Sequence, residues 1–277
     1  KLALVGKTNA GKSTLINTLV GEDISIINKK INTTQDSILG IKNIKNTQII
    51  FYDTPGSNFL KTNNILQKKL KTNIWQAIDS VDILIYIIDV YKININEVIN
   101  DINKISEVKK DIFFIFNKID LVENKKVLKN IDDLKNYKNI KEFFLISAKF
   151  KLGIDDLINT VIKRSNIKNW IYNNDEITDK DDIYITNEST RNAILEYLHQ
   201  EIPYNIKVEN NQYKFLKNGD LKIKQSVEIN NIRYKSILLG KKGQTIKKVR
   251  EKSQSDIKKI LNCKVHLYIK VIFKNAK

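Results

Sequence analysis

A glycine-rich loop between a short apolar segment and a helical pattern constrains this chain most. LALV at residues 2–5 is followed by GKTNAGKS at residues 6–13, and Leu15, Ile16 and Leu19 then recur at helical spacing. A strand, a GxxxxGK[ST] loop and a helix in that order form a phosphate-binding site, because the loop amides and the helix N-terminus both attract anions. The chain therefore contains an α/β domain that binds a nucleotide.

The N-terminal part continues as alternating apolar strands and helical stretches. We predict strands at residues 48–53, 82–89, 111–117 and 142–147, and helices at residues 12–20, 64–78 and 97–104. Strands that are apolar throughout and alternate with helices imply a mostly parallel sheet covered on both faces. Residues 37–45 are expected to lie antiparallel at an edge, which gives a six-stranded sheet.

Positive charge is concentrated at the C-terminal end. The net charge is +17, and residues 233–277 carry 14 basic and 2 acidic side chains. A Lys-, Asn- and Ile-rich composition that reflects only an AT-rich genome would spread the charge evenly. The uneven distribution favours a surface that binds a nucleic-acid backbone.

Composition excludes several other classes. Cys263 is the single cysteine, so an internal disulfide and a cysteine-based zinc site are excluded, and His199 and His266 are isolated in sequence. The longest apolar run, residues 83–88, is too short to span a bilayer. Because the chain lacks methionine and the loop starts at Gly6, we expect Lys1 not to be the natural start.

Two motifs supply phosphate and magnesium chemistry. Gly6 and Gly11 let backbone amides face the β-phosphate, Lys12 reaches the β- and γ-oxygens, and the Ser13 hydroxyl ligates Mg²⁺. In the DTPG motif at residues 53–56, Asp53 is expected to hold the metal through water, and the Gly56 amide approaches the γ-phosphate. The loop residues predicted to bind nucleotide are Gly6, Asn9, Ala10, Gly11, Lys12, Ser13 and Thr14.

Two later motifs indicate that the base is guanine. In NKID at residues 117–120, the Asp120 carboxylate accepts hydrogen bonds from guanine N1–H and the exocyclic amine, a donor pair that adenine lacks. We also expect Asn117 to contact the base and the stem of Lys118 to lie along it. In the SAK motif, the Ala148 amide is expected to donate to guanine O6. The predicted residues of this motif are Ser147, Ala148 and Lys149.

With these motifs, the chain resembles the Era family of bacterial translation-associated GTPases over essentially all 277 residues. TT at residues 33–34 followed by ILGI at residues 38–41 resembles the family's first switch, in which Thr34, with Thr33 as the alternative, closes on Mg²⁺ and the γ-phosphate. The resemblance thus implies the metal ligands Ser13, Thr34 and Asp53. It implies the catalytic residues Asn9, Lys12, Thr34, Asp53 and Gly56.

The C-terminal part resembles the family's type II KH domain, an α+β RNA-binding module. Arg191, Leu198 and EIPY at residues 201–204 match its entry, and GKKG at residues 240–243 stands where its RNA-clamping loop belongs. A GxxG alone is equally a plain turn, but here apolar residues precede it and a basic amphipathic helix, residues 244–261, follows. A strand at residues 264–273 completes the order helix, strand, strand, helix, helix, strand. The predicted RNA contacts are Gly240, Lys241, Lys242, Gly243, Lys247 and Lys248.

These assignments divide the chain into a G domain at residues 1–165, a linker at 166–185 and a KH domain at 186–277. Ser57 follows the DxxG motif where Ras-like proteins have a glutamine, and it departs from the family pattern, as do Gln35 and Asp36. The resemblance implies that Asn9 and the first switch hold K⁺ near the position of an arginine finger. The alternative role of Asn9 is a turn residue that stabilises the loop.

The resulting hypothesis is a GTP- and Mg²⁺-binding switch that hydrolyses GTP slowly. The resemblance implies binding of small-subunit ribosomal RNA near its 3′ end, a role in maturation of the small ribosomal subunit, a cytoplasmic location and a monomer. It leaves peripheral association with the inner face of the cell membrane open. The rival hypothesis is an RNA-binding scaffold that binds GTP with negligible turnover. A single G domain followed directly by GxxG disfavours tRNA-modification and tandem-domain GTPases.

Overall fold

Two units make up the computed structural model, Lys1–Asp179 and Lys180–Lys277. The structure describes residues 1–21, 38–54, 78–106, 109–198 and 206–274. Outside these ranges lie both threonines of the predicted first switch, Gly56, Ser57 and the predicted helix 64–78 except its last residue. Gln35, Asp36, His199 and the EIPY segment at residues 201–204 also lie outside them. The division between the units falls within the segment predicted as a linker.

A six-stranded sheet forms the centre of the first unit, in the order β2-β3-β1-β4-β5-β6. Its strands are β1 (Leu2–Val5), β2 (Ile38–Ile44), β3 (Thr47–Asp53), β4 (Ile83–Asp89), β5 (Asp111–Asn117) and β6 (Ile140–Ile146). All neighbours are parallel except β2 and β3, which form an antiparallel edge pair, as the sequence predicted. The four central strands carry apolar side chains on both faces because helices cover both sides.

Helices α1 (Lys12–Val20) and α4 (Ile154–Lys163) pack on one face of this sheet, and α2 (Ile95–Ser106) and α3 (Asn124–Leu134) pack on the other. Apolar residues at helical spacing face the sheet, as Val98, Ile102 and Ile105 of α2 illustrate. A polar contact also joins α2 to the sheet, because the buried Tyr86 hydroxyl donates to Asp101 Oδ2 at 2.8 Å. Burial, reinforced by the Asp101 charge, raises the pKa of Tyr86. This phenol therefore stays neutral.

Residues 170–179, which the sequence placed in a linker, are hydrogen-bonded to the edge strands β2 and β3. The Ile41 amide donates to the Ile177 carbonyl at 2.8 Å, and the Leu39 amide donates to Asp179 Oδ1 at 3.0 Å. The Gln48 side chain accepts from the Ile171 amide and donates to the Tyr172 carbonyl. This segment therefore satisfies backbone groups that an edge strand would otherwise present to solvent.

The second unit has the predicted order of elements. They are α5 (Asp182–Tyr197), β7 (Lys207–Phe215), β8 (Leu221–Ile229), α6 (Ile232–Leu239), α7 (Gln244–Ile260) and β9 (Val265–Phe273). The sheet order is β7-β8-β9, with β7 and β8 antiparallel and β8 and β9 parallel. Three helices pack on one face, where Ile194, Leu238 and Val249 are fully buried.

A buried polar cluster fixes the position of α7. The Thr190 hydroxyl of α5 donates to Gln225 Oε1 of β8 at 2.6 Å and lies 2.5 Å from the Ser253 hydroxyl of α7. Gln225 Nε2 donates to Asn187 Oδ1 at 3.2 Å. These groups satisfy one another inside the core, so the cluster holds α5, β8 and α7 in one register.

Candidate nucleotide site and RNA interface

The loop between β1 and α1 has the tight backbone that a phosphate-binding loop requires. Gly6 has φ of 156°, and a Cβ placed there would lie 2.1 Å from the Ile87 carbonyl oxygen. Gly11 has φ of 103°, and its Cβ would lie 2.1 Å from Asn117 Nδ2. Both positions therefore exclude side chains by close approach, and Gly11 also by its left-handed backbone.

Lys12 is held inside the loop. Its side chain is 7% exposed, and Nζ donates to the Gly6 carbonyl at 2.9 Å and to the Lys7 carbonyl at 3.0 Å. Burial lowers the pKa of Lys12 to about 8, and the Asp53 charge partly opposes this. A buried cation that has lost its water shell gains strongly from an anionic partner, so Lys12 suits a phosphate.

Ser13 and Asp53 meet at the carboxyl end of the parallel strands, although 40 positions separate them in sequence. Ser13 Oγ donates to Asp53 Oδ2 at 2.9 Å, and Asp53 is fully buried at the end of β3. The next residue, Thr54, donates from Oγ1 to the Leu4 carbonyl at 2.5 Å and ties β3 to β1. A hydroxyl and a carboxylate are hard oxygen donors, so the pair fits Mg²⁺. The third predicted metal ligand, Thr34, lies outside the described residues.

The remaining loop residues are placed as follows. Ala10 is buried, and its amide donates to the Lys7 carbonyl at 3.2 Å. Thr14 is half-buried in the first turn of α1. Asn9 is exposed with φ of 64°, a left-handed conformation that asparagine tolerates better than most residues. This backbone agrees with a turn role for Asn9, and its role toward K⁺ stays a prediction.

Asn117 connects the phosphate loop to the loop after β6. Its Nδ2 donates to the Ala10 carbonyl at 2.8 Å, and its Oδ1 accepts from the Ala148 amide at 3.0 Å. The side chain is 2% exposed. The geometry thus gives Asn117 a positioning role, where the sequence assigned it to the base. The Ala148 amide, predicted to donate to guanine O6, is used by Asn117 in this structure.

Asp120 is exposed in a short 3-10 turn at Ile119–Leu121, which also lies at the carboxyl end of the parallel strands. Its carboxylate therefore remains accessible to a base. Lys118, with φ of 68°, turns the chain toward the phosphate loop, where Nζ donates to the Asn9 carbonyl at 2.8 Å and to Asp89 Oδ2 at 2.6 Å. The sequence missed Asp89, although its position at the end of β4 was a usable signal.

The SAK motif lies beside this turn. Ser147 is buried, and its Oγ accepts from the Phe150 amide at 3.4 Å. Lys149 is exposed, with Nζ 5.0 Å from the centre of the Phe150 ring. Thr18 of α1 donates to the Ala148 carbonyl at 2.8 Å, a contact that no sequence pattern indicated. The loops that carry the phosphate and base motifs are therefore bonded to one another.

The GxxG loop of the second unit joins α6 to α7. Gly240 has φ of 69°, and a Cβ there would lie 2.0 Å from Thr245 Oγ1. Gly243 has φ of 77° with open space where a Cβ would stand. Gly240 is thus required by internal packing, whereas Gly243 leaves its backbone approachable from outside. The four predicted RNA-binding lysines are exposed, and Lys247 has Glu251 at 4.0 Å: Lys241, Lys242, Lys247 and Lys248.

Comparison with known proteins agrees with this architecture. A family model described as 50S ribosome-binding GTPase matches residues 1–118, and a KH domain model matches residues 201–277. Together, the phosphate loop, the NKxD motif and the KH topology define a guanine-nucleotide-binding protein with a KH domain.

Curated relatives identify the family. GTPase Era of Ehrlichia ruminantium (strain Gardel) is 34% identical over 96% of this chain and 90% of its own length. GTPase Era of Rickettsia bellii (strain OSU 85-389) is 35% identical over 97% and 90%. The chain belongs to the Era family of GTPases.

Two solved structures share the fold over nearly the whole chain. Era in complex with MgGDPNP and nucleotides 1506–1542 of 16S ribosomal RNA has a TM-score of 0.89 at 32% identity and covers 99% of this chain and 93% of its own. A variant of Aquifex aeolicus Era bound to GDP·AlF4⁻ has a TM-score of 0.90 at 32% identity with the same coverage. Among the described residues, no helix is both long and apolar enough to span a membrane.

Proposed function

We propose that this protein is a GTP-hydrolysing switch that binds small-subunit ribosomal RNA near its 3′ end and acts in maturation of the small ribosomal subunit. One observation carries the nucleotide-binding part of this proposal: Lys12, Ser13 and Asp53 come together at the carboxyl end of the parallel strands. The exposed Asp120 lies at that same end. Bound Mg²⁺ would offset the negative charge of the β- and γ-phosphates. Similarity to a structure that contains MgGDPNP supports this assignment.

Turnover is proposed to be slow and stimulated by K⁺. Ser57 lacks the amide with which a glutamine orients the attacking water. Even a Ras-like protein that has this glutamine hydrolyses GTP at only about 10⁻⁴ per second without an arginine finger. The Asn9 backbone carbonyl accepts from Lys118 Nζ, which joins the phosphate loop to the NKxD motif. The position of Asn9 in the phosphate loop, together with membership of the Era family, supports a role of its side-chain amide toward a monovalent cation.

Multiple-turnover hydrolysis in KCl and in NaCl at matched ionic strength tests this half. We expect faster turnover in KCl, and we expect Asn9→Ala to remove the difference while GDP still binds. Equal rates in both salts would leave Asn9 as a turn residue. Absence of turnover in either salt, with GTP still bound, would favour the RNA-binding scaffold that Ser57 also permits.

The RNA half rests on the GxxG geometry and on the exposed lysines around it. The similar crystal structure with nucleotides 1506–1542 of 16S ribosomal RNA supports the choice of RNA. Changing Lys241 and Lys242 to Ala should weaken binding of that RNA and flatten log affinity against log salt by up to about 1.4 units, at roughly 0.7 per single-strand phosphate contact. Gly243→Asp should nearly abolish binding of that RNA at the GxxG loop while GTP binding survives.

A double lysine variant with the wild-type affinity and salt slope would contradict this half. The monomeric state and the peripheral membrane association stay predictions.

A further inference from the structure

The outer face of the KH sheet carries a second basic surface, which is distinct from the GxxG loop. Side chains alternate between the two faces of a strand. Leu221, Ile223 and Val227 of β8 are fully buried against the helices, so Lys222 and Lys224 point to the other face. The pairing register places Lys214 of β7 beside Lys222 and Tyr268 of β9 beside Lys224.

The outer patch consists of one aromatic ring and four lysines: Lys214, Lys222, Lys224, Tyr268 and Lys270. Tyr268 is 54% exposed, and Lys222 Nζ lies 5.7 Å from the centre of its ring. Lys214, Lys224 and Lys270 are exposed. Tyr268 therefore keeps about half of its surface accessible to a ligand.

The lysines of the outer patch differ from the other basic residues of this face in that those residues are paired with carboxylates. At one end of the sheet Lys207 pairs with Glu209 and Lys274 pairs with Glu228. At the opposite end Lys264 and His266 contact Asp220. Within the described ranges, no carboxylate forms a salt bridge with any lysine of the outer patch. The acidic groups of this face are thus used elsewhere, and the patch retains its positive charge.

We propose that the outer patch binds single-stranded RNA, with a base stacked on Tyr268 and phosphates held by the surrounding lysines. Base stacking on an exposed aromatic ring beside unpaired cations is the arrangement that binds single strands without sequence preference. Lys222 at the ring places a cation next to the stacked base. A merely solvated lysine face would not need an exposed tyrosine at its centre.

This inference rests on the proposed RNA binding, which it extends to a second surface. The three helices cover the inner face of the sheet, and the GxxG loop belongs to that helical layer. One RNA segment at the GxxG loop and another on the outer patch would therefore lie on opposite sides of the KH unit.

Crosslinking to RNA locates the contact directly. The full chain and its Gly243→Asp variant are irradiated with oligouridylate that contains 4-thiouridine. We expect both to crosslink within the tryptic peptide 265–270, which contains Tyr268. Crosslinks confined to the GxxG region of the wild-type chain would overturn the proposal and leave the proposed function intact.

Affinity measurements on substituted chains separate stacking from charge. Tyr268→Ala should lower affinity for this RNA by about tenfold, and Tyr268→Phe should retain most of it, because the ring face persists. Lys222→Ala with Lys224→Ala should flatten the salt dependence by up to about 1.4 units. The matched control removes the same charge from the C-terminal end of α7, through Lys258→Ala with Lys259→Ala, and should leave the slope unchanged.

Three further outcomes are decisive. Equal losses in the patch and control pairs would show a general charge effect and overturn the proposal. Binding to vesicles of phosphatidylglycerol that depends on Lys222 and Lys224, with RNA affinity unchanged by the same substitutions, would assign the patch to lipid instead. Failure of the wild-type chain to bind any RNA would refute the proposed function itself.

Discussion

The side-chain amide of Asn117 donates a hydrogen bond of 2.8 Å to the carbonyl oxygen of Ala10, and so joins the NKxD motif to the phosphate loop. The same side chain accepts from the Ala148 amide at 3.0 Å. One buried residue thus holds together the loops after β1, β5 and β6. Loops fixed to one another in this way present phosphate and base contacts at a set spacing, which lowers the ordering cost of binding a nucleotide.

Replacing Asn117 with Ala should weaken both binding and folding. The substitution leaves the Ala10 carbonyl and the Ala148 amide without this partner, at a cost of about 1–3 kcal/mol for each buried unsatisfied group. We expect a lower melting temperature without nucleotide and weaker GDP binding, measured by thermal unfolding and titration with a fluorescent GDP analogue. Asn169→Ala, which removes an exposed amide, is the control. A variant with wild-type stability would contradict the positioning role.

Replacing Asp120 with Asn should change base preference without the same loss of stability, because Asp120 is exposed. The carboxylate accepts from guanine donors, whereas an amide can donate to the acceptor at the 2-position of xanthine. We expect weaker GTP binding and competition by xanthosine triphosphate in equilibrium titrations. An unchanged preference for GTP would show that Asp120 does not read the base.

Replacing Lys12 with Met should remove the rise in stability that the nucleotide-free protein gains between about pH 8 and pH 10.5. The folded-state pKa of Lys12 is about 8, below the ordinary 10.5, so the unfolded chain binds more protons between these values. The cost of burying the charge is present below pH 8, up to about 3 kcal/mol, and is relieved as pH rises toward 10.5.

The free energies of unfolding of the wild type and the Met variant at pH 7 and near pH 10 measure the cost of burying the Lys12 charge. Relative to the wild type, the variant should lose up to about 3 kcal/mol of stability between the two pH values, and its GTP binding should be lost at both. Lys258→Met on the exposed end of α7 should show neither effect. A difference in stability between the variant and the wild type that is the same at both pH values would contradict the burial cost.

Alanine at Gly240 should be more destabilising than alanine at Gly243. Both positions have positive φ, which costs about 1–2 kcal/mol for a residue with a Cβ, but only Gly240 adds a close approach, 2.0 Å from Thr245 Oγ1. We expect Gly240→Ala to lower the melting temperature of the KH unit more. Similar melting temperatures for the two variants would show that Thr245 moves aside without cost.

Periodicity and motif order predicted much of the fold, including the antiparallel edge strand and the order of the KH elements. Strands such as β5 were predicted at their observed bounds because a buried apolar run, residues 112–116, lies between the polar Asp111 and Asn117. The sequence placed the start of β6 at Glu142, but the strand begins at Ile140, because strand ends depend on pairing with β5 and not on local pattern.

The contacts that position the site were less predictable. Lys118 with Asp89, Thr18 with Ala148, and Thr190 with Gln225 each join residues that are far apart in sequence. Such partners are set by how the strands and helices pack, and the polar residue types involved are common on surfaces. Asn117 illustrates the difference: its motif identified the residue, but only packing gave it a positioning role.

The segment at residues 170–179 determines where the first unit can be cut. A fragment that ends at Ser165, the predicted end of the G domain, would lack the Ile177 and Asp179 partners of β2. The Ile41 and Leu39 amides would then form an open edge, which is a template for strand addition by another molecule. Such a fragment is expected to self-associate at high concentration. A fragment that extends through Asp179 keeps the segment that covers this edge and should not self-associate.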